Sequence, residues 1–515
     1  MRLMTPQERA REFLRVAHHY RLGILPTEQP HPGTRLLSDW ARDDLTKAIA
    51  VLKEIDLQAL RKVQGAGAAI DRLARRIDAT LERGRRIYLC GCGATGRLSM
   101  SLEFLWRNRI GHGDQVRAFM AGGDVALVHA IEGFEDHPAY GARHLREIGF
   151  VDGDLLIGTT EGGETPYVIG ATEEAARLSA NPPYFLYCNA DAVLADNIER
   201  FQRVYNNDRI EKICLDVGPM ALAGSTRMQA STVLQLAVGA ALLHPETPAS
   251  GLIAGFSRQV AATDFAFLEP FIAREADIYS AGNYVTYRVK DYGITVLTDT
   301  TERAPTFSLV PFDQLKEKRS SYSLCYVALE DARSPEEAWA RMLNRAPRAL
   351  EWAEVDPRTT RGYLDGFDFS SNAAARRQRQ IPGARHHDFH LGRTGGAIEF
   401  RFDELAHGVP VRGLSELAEH LLLKQALNIH STLVMGRLGR YENNLMTWVS
   451  PTNCKLVDRA TRYITHLLAG AGRTGQRYED IVLQLFTEMD GVEPGESVVL
   501  RTCRSLLRGN GAASG

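Results

Sequence analysis

The sequence predicts an α/β protein built from two doubly wound parallel-sheet units of one type, flanked by N-terminal and C-terminal helical segments. Three observations carry this. From Arg86 onward short apolar runs alternate with helical stretches. The first run breaks into a glycine-rich turn, Gly91-Cys-Gly-Ala-Thr-Gly96, that opens a helix. A second, less regular set of apolar runs starts after Ser250. With 515 residues, 44% hydrophobic and 24% charged, the chain can bury more than one core.

Taken in order, residues 1–70 read as a helical segment, with apolar residues three and four apart over 8–19 and 37–54. A proline-bearing loop around 25–34, expected to be extended, separates the two. Residues 71–250 form the first unit. A helix at 68–83 leads into strands at 87–90, 116–120, 155–157, 184–187 and 213–215, with helices at 97–107, 125–131, 166–178 and 228–243 between or after them. Continuous apolar strands separated by helices predict a parallel sheet covered on both faces, with ligands at the carboxyl ends of its strands. Residues 251–440 are read as a second, degenerate unit with strands near 284–289, 295–297, 323–329 and 397–401 and helices at 335–344 and 416–438. The polar, arginine-rich stretch 370–394 reads as a surface loop or lid. Residues 441–515 are read as a helical cap ending in a disordered tail, 509–515.

Composition narrows the function classes. With 61 basic and 63 acidic residues, the chain has no charge footprint for nucleic acid or an anionic membrane. The seven cysteines are scattered and read as free thiols in a reducing compartment. The longest apolar helical stretch, 233–243, is shorter than the ~20 residues that span a bilayer, and no leader-like segment opens the chain, so a cytoplasmic location is expected. His386, His387 and His390 lack a second ligand cluster at useful spacing, so neither a metal nor a cofactor is predicted.

The glycine turn is the strongest local signal. Gly91, Gly93 and Gly96 let the backbone approach an anion at the start of a helix, as a phosphate cradle requires. The spacing matches Gly-x-Gly-x-x-Gly, but no acidic residue follows the next run at Met120, and no Gly-Lys-Ser/Thr follows the turn. Four motifs then resemble the sugar isomerase (SIS) domain, in the group that contains N-acetylmuramic acid 6-phosphate etherase and glucokinase regulatory protein. These are the Gly91 turn; Met120-Ala-Gly-Gly-Asp with Glu132-Gly-Phe-Glu-Asp136; Gly158-Thr-Thr-Glu-Gly-Gly-Glu-Thr-Pro; and Gly218-Pro-Met-Ala-Leu-Ala-Gly-Ser-Thr-Arg-Met. The loop at Thr27-Glu28 fits as well. A fifth segment, from Gly436 through Asn453-Cys-Lys455 to Arg459, directly follows the Ser-Thr-Arg helix in the etherases but is displaced here beyond the second α/β stretch. The displacement implies a duplication, and a fused chain would work as a monomer with an internal pseudo-twofold axis or as a weak homodimer.

The resemblance implies a ligand set of Gly93, Ala94, Thr95, Gly96, Glu135, Thr159, Thr160, Thr165, Ser225, Thr226 and Lys455 around a hexose or amino-sugar phosphate. Glu135 aligns with the family's catalytic base. The family's acid aligns with Leu105, which cannot donate a proton, and Glu103, two residues earlier and about 200° round the helix, is a weak substitute. Glu161, Glu164 and Gln229 also depart from the etherase pattern, and two carboxylates repel a phosphate unless they point away. Arg97 and Arg227, at helix starts, read as structural. On these grounds sugar-phosphate sensing or regulation is favoured, and the resemblance implies a sugar kinase or other protein as partner. An etherase-type lyase or sugar-phosphate isomerase is the alternative, and a protein-binding scaffold without ligand is the third reading.

Overall fold

A computed structural model describes residues 4–111, 113–131, 133–314, 319–493 and 495–508. Glu132 and the tail 509–515, both singled out above, lie outside the described residues. Five strands, β1 (Ile87–Gly91), β2 (Val116–Met120), β3 (Leu155–Thr159), β4 (Tyr184–Tyr187) and β5 (Glu211–Cys214), form an all-parallel sheet in the order β2-β1-β3-β4-β5. β1 and β3 are buried at every position because helices cover both faces, which accounts for their unbroken apolar sequences. The order reverses at β1, so the loops after β1 and β3 open at the switch point where α/β sheets bind ligands.

The second sheet has the order β10-β9-β8-β6-β7, from β6 (Tyr284–Val289), β7 (Cys325–Leu329), β8 (His386–Thr394), β9 (Ala397–Phe402) and β10 (Leu405–Pro410). β6 pairs in parallel with β7 and β8, whereas β8, β9 and β10 form an antiparallel meander. Its turns explain the change: Gly395 and Gly396 both have positive φ, and a two-residue loop of that kind joins antiparallel strands.

Several sequence expectations are corrected. Residues 295–297 belong to the helix Gly293–Phe307, not to a strand. That helix is buried on nearly all sides, so its sequence lacks the one-sided period that marks a surface helix. The expected lid at 370–394 is instead the helix Ala373–Gln380 followed by β8, where buried Phe389 and Leu391 alternate with less buried polar residues. Residues 125–131 make only a short 3-10 turn, Asp124–Leu127. The loop at 25–34 likewise folds into 3-10 turns rather than running extended.

Two helices pack together between the sheets: Gln229–Leu243, buried along its whole length, and Glu416–Arg437, buried along most of its own. Both are buried around most of their circumference, and the second also buries polar side chains such as Glu419, His420, Asn428 and His430. A separate core joins the helix Pro6–Val16 to Cys454–Gly470, Tyr478–Met489 and Val498–Arg508 through Phe13, Ile464, Leu485 and Val499. Among the described residues no helix is long and apolar enough to cross a membrane, all seven cysteines are free, and no group of three or more His, Cys, Asp or Glu side chains is placed to hold a metal ion.

Candidate functional site

β1 ends at Gly91, where a Cβ would lie 2.3 Å from the carbonyl carbon of Thr95. Any side chain there would push the helix Ala94–Ile110 off the strand. Gly93 caps that helix with φ 54°, a conformation that favours glycine. The Thr95 hydroxyl closes the turn, accepting from Cys92 N and donating to Cys92 O, both at 2.9 Å. The resulting helix start presents Gly93 and Ala94 to a cavity of about 490 Å3, where the helix dipole favours an anion.

Three further segments of the first unit reach this cavity. The loop after β3 contributes Glu161 and Thr165, the segment before Gln229 contributes Ser225 and Thr226, and the turn Phe134–Asp136 contributes Glu135. Asn453 and Lys455 enter from the start of the Cys454 helix, which Asn453 caps by accepting from Leu456 N at 2.9 Å. The second unit supplies the facing wall through Thr301, Glu302, Ser308 and Arg358.

The predicted ligand set is therefore gathered in part. Gly93, Ala94, Glu135, Thr165, Ser225, Thr226 and Lys455 line the cavity. Thr95, Gly96, Thr159 and Thr160 stand behind its surface: Gly96 packs on Met120, Thr159 donates to Cys90 O at 3.2 Å, and Thr160 shares a 2.9 Å hydrogen bond with Thr165. Glu103 is not in the cavity wall. It is 1% exposed and accepts from Arg107, Arg345 and Arg348 at 3.1, 3.0 and 2.9 Å and from Ala118 N at 3.2 Å. A carboxylate held by three guanidiniums, two of them from Arg345 and Arg348, is an anchor between the units. Leu105, 1% exposed, is sealed in the core. Arg97 pairs with Glu302, and Arg227 with Asp299 at 2.9 Å, so both join the two units; both also line the cavity.

The carboxylates divide by environment. Glu164 is buried, which alone would raise its pKa, but Lys455 at 2.9 Å and Arg200 overcome that and hold it at about 2. Lys455 is correspondingly held in its charged form by Glu164, Glu135 and Glu28 against the cost of burial. Glu161 has no ion pair among the described residues, and the charges of Lys455 and Lys424 only partly offset its burial. Burial, reinforced by the Glu302 charge, pushes it up to about 7, and its Oε1 is buried without a hydrogen bond among the described residues. Asp136, beside Glu135, is pushed up to about 6 by burial and by the Glu135 charge. Glu135 itself accepts from Cys92 Sγ at 3.6 Å and from Asn453 Nδ2 at 3.3 Å. Glu161 thus keeps its proton near neutrality, and it lines the same cavity as Glu135. Sequence reasoning missed the second unit's contribution, because Thr301, Glu302, Ser308 and Arg358 belong to no motif.

A family model described as the glucokinase regulatory protein N-terminal SIS domain matches residues 70–176. The N-acetylmuramic acid 6-phosphate etherase of Rippkaea orientalis is 34% identical over 222 residues, 42% of this chain and 66% of that protein. The enzyme of the same name from Yersinia pestis is 35% identical over 224 residues, 42% of this chain and 68% of that protein. The chain thus spans about two-thirds of the length of these relatives, and the match covers less than half of the chain. Among solved structures, tagatose-6-phosphate ketose/aldose isomerase from Escherichia coli aligns over 77% of this chain and 93% of its own, at 12% identity and a TM-score of 0.41.

Proposed function

Because the chain belongs to the SIS-domain family that includes the N-acetylmuramic acid 6-phosphate etherases, we propose that it binds a phosphorylated amino sugar and acts as an etherase-type carbon–oxygen lyase. The phosphate is assigned to the start of the Ala94 helix and the hydroxyls of Ser225, Thr226 and Thr165, with Lys455 as the nearby cation. The observation that carries the reading is Glu161. A carboxyl that titrates near 7 in the same cavity as Glu135 supplies the acid that Leu105 cannot.

In the proposed reaction Glu135 takes the proton from C2 of the opened sugar, next to the C1 carbonyl. The electron pair forms the C2–C3 double bond, the C3–oxygen bond breaks, and Glu161 gives its proton to the departing lactate oxygen. Ionised Glu161 then takes a proton from water as the hydroxyl adds to C3, and Glu135 returns its proton to C2. The sum is ether plus water giving alcohol plus lactate, with both carboxyls restored.

The etherase relatives favour this reading over the regulatory one that the sequence suggested first. Sensing is favoured by one observation, the buried Leu105 at the position of the family's acid. The two separate on lactate release from N-acetylmuramic acid 6-phosphate by the wild type, Glu135→Gln and Glu161→Gln proteins. A lyase releases lactate in the wild type and loses it in both variants, whereas a sensor binds without release.

A further inference from the structure

Residues 344–364 leave the second unit after the helix Pro335–Leu343 and run as a strap along the first. Arg345 Nη1 donates to Asp124 Oδ2 at 2.6 Å, and the backbone N–H of Arg348 donates to the same oxygen at 2.7 Å. Leu350 covers Gly123, where a Cβ would come within 2.8 Å of the leucine. Trp352, almost wholly buried, stacks on Phe134 with ring centroids 6.1 Å apart and planes 16° from parallel. Its indole donates to Glu147 at 2.7 Å, and the Arg143 guanidinium lies 4.1 Å over its ring. At the far end Tyr363 and His129 share a 2.8 Å hydrogen bond.

Every one of these holds except the outer contacts at Glu147 and Arg143 falls between Gly123 and Phe134, the segment that forms one wall of the cavity and delivers Glu135. Among the described residues the hydrogen bonds of Glu135 are light ones, a thiol at 3.6 Å and an amide at 3.3 Å, with the Lys455 charge nearby, while its neighbour Phe134 is pinned by an indole. An aromatic stack in a buried site fixes both the position and the tilt of the ring, and hence of the backbone on either side. We propose that Trp352 is a positioning residue for Glu135: the second unit, through this strap, sets the geometry of the carboxylate in the first unit's cavity. The proposal rests on the reading of Glu135 as the base. It makes the second unit, which contains no glycine-rich loop of its own, a working part of the first site.

The test measures the full-length protein with Trp352→Ala, Leu350→Ala and Trp352→Phe substitutions, reading amide hydrogen exchange by peptide and the kinetics of lactate release. Trp352→Ala and Leu350→Ala should speed exchange in peptides covering 121–137 and leave Tyr478–Met489 unchanged, which separates loosening of the segment from loss of fold. Trp352→Ala should lower kcat by about a hundredfold with a much smaller change in KM, because misplacing a catalytic group by about 1 Å costs that much without touching the phosphate contacts. Trp352→Phe, which keeps a ring on Phe134, should recover most of both properties. Unchanged exchange in 121–137 would overturn the proposal whether or not the protein is a lyase. Faster exchange there with kcat retained would overturn the positioning role. A wild-type protein without lactate release would instead sink the lyase reading, and the strap would then be judged on loss of the exchange protection that N-acetylmuramic acid 6-phosphate confers on 121–137; undiminished protection in Trp352→Ala would overturn it.

Discussion

Lys455 Nζ lies 2.9 Å from Glu164 Oε1, so the cation that reaches the cavity from the cap helix is paired with a carboxylate of the loop after β3. Two features that conflict in the sequence, an acidic residue in a phosphate loop and a lysine meant for phosphate, neutralise one another. The pair also joins the Cys454 helix to the first sheet, so cap docking and ligand binding share one contact.

Lys455→Ala should therefore both destabilise the protein and weaken ligand binding. Breaking a buried pair costs about 3 kcal/mol at the low end, the end that applies here because Arg200 still faces Glu164. Lys455→Ala with Glu164→Gln should recover part of the stability and none of the affinity. Thermal unfolding and calorimetry with N-acetylmuramic acid 6-phosphate separate the two effects.

Glu161 makes a pH prediction with a definite sign. Its folded pKa of about 7 lies above the 4.5 of the free side chain, so the unfolded chain releases this proton first. Its contribution to stability is thus full below pH 4.5 and declines as pH rises to 7. Glu161→Gln should remove that slope from a plot of melting temperature against pH. Lactate release, which needs the protonated form, should fall above pH 7 in the wild type.

Glu28 titrates the other way. It accepts from Arg459 at 2.6 and 3.1 Å and from Arg462 at 3.0 Å; burial opposes the charge, but the two guanidiniums hold the carboxyl at about 2. Its stabilisation is present above pH 4.5 and is lost as pH falls toward 2. Glu28→Gln should bring that loss to neutral pH, at about 3 kcal/mol, by leaving the buried Arg459 without its counter-ion, while Arg462 keeps Asp458 at 2.8 Å. Hydrogen exchange in the helix Cys454–Gly470 should rise first.

Much of the first unit was legible in the sequence, for physical reasons. Gly91 and Gly93 are dictated by backbone geometry, and fully covered parallel strands must be apolar throughout, so both leave a local trace. The second unit was harder to read. The helix Gly293–Phe307 is buried between units and carries no one-sided period, and β8 hides two core residues among histidines and arginines. Of the candidate site, the motifs placed Gly93, Ala94, Glu135, Thr165, Ser225, Thr226 and Lys455 around one cavity, while Thr95, Gly96, Thr159 and Thr160, from the same motifs, stand behind it. The proton held by Glu161 depends on which side chains surround it in space, and the grip of Arg345 and Arg348 on Glu103 joins residues more than 240 positions apart. No spacing rule reports either.

The most direct test of the account is the release of lactate from N-acetylmuramic acid 6-phosphate by the wild-type protein beside Glu161→Gln. The account predicts release by the wild type and a fall of about a hundredfold or more in the variant, whose amide cannot protonate the leaving oxygen. Release that persists undiminished in Glu161→Gln, or a wild-type protein that binds the sugar phosphate and releases nothing, would contradict it.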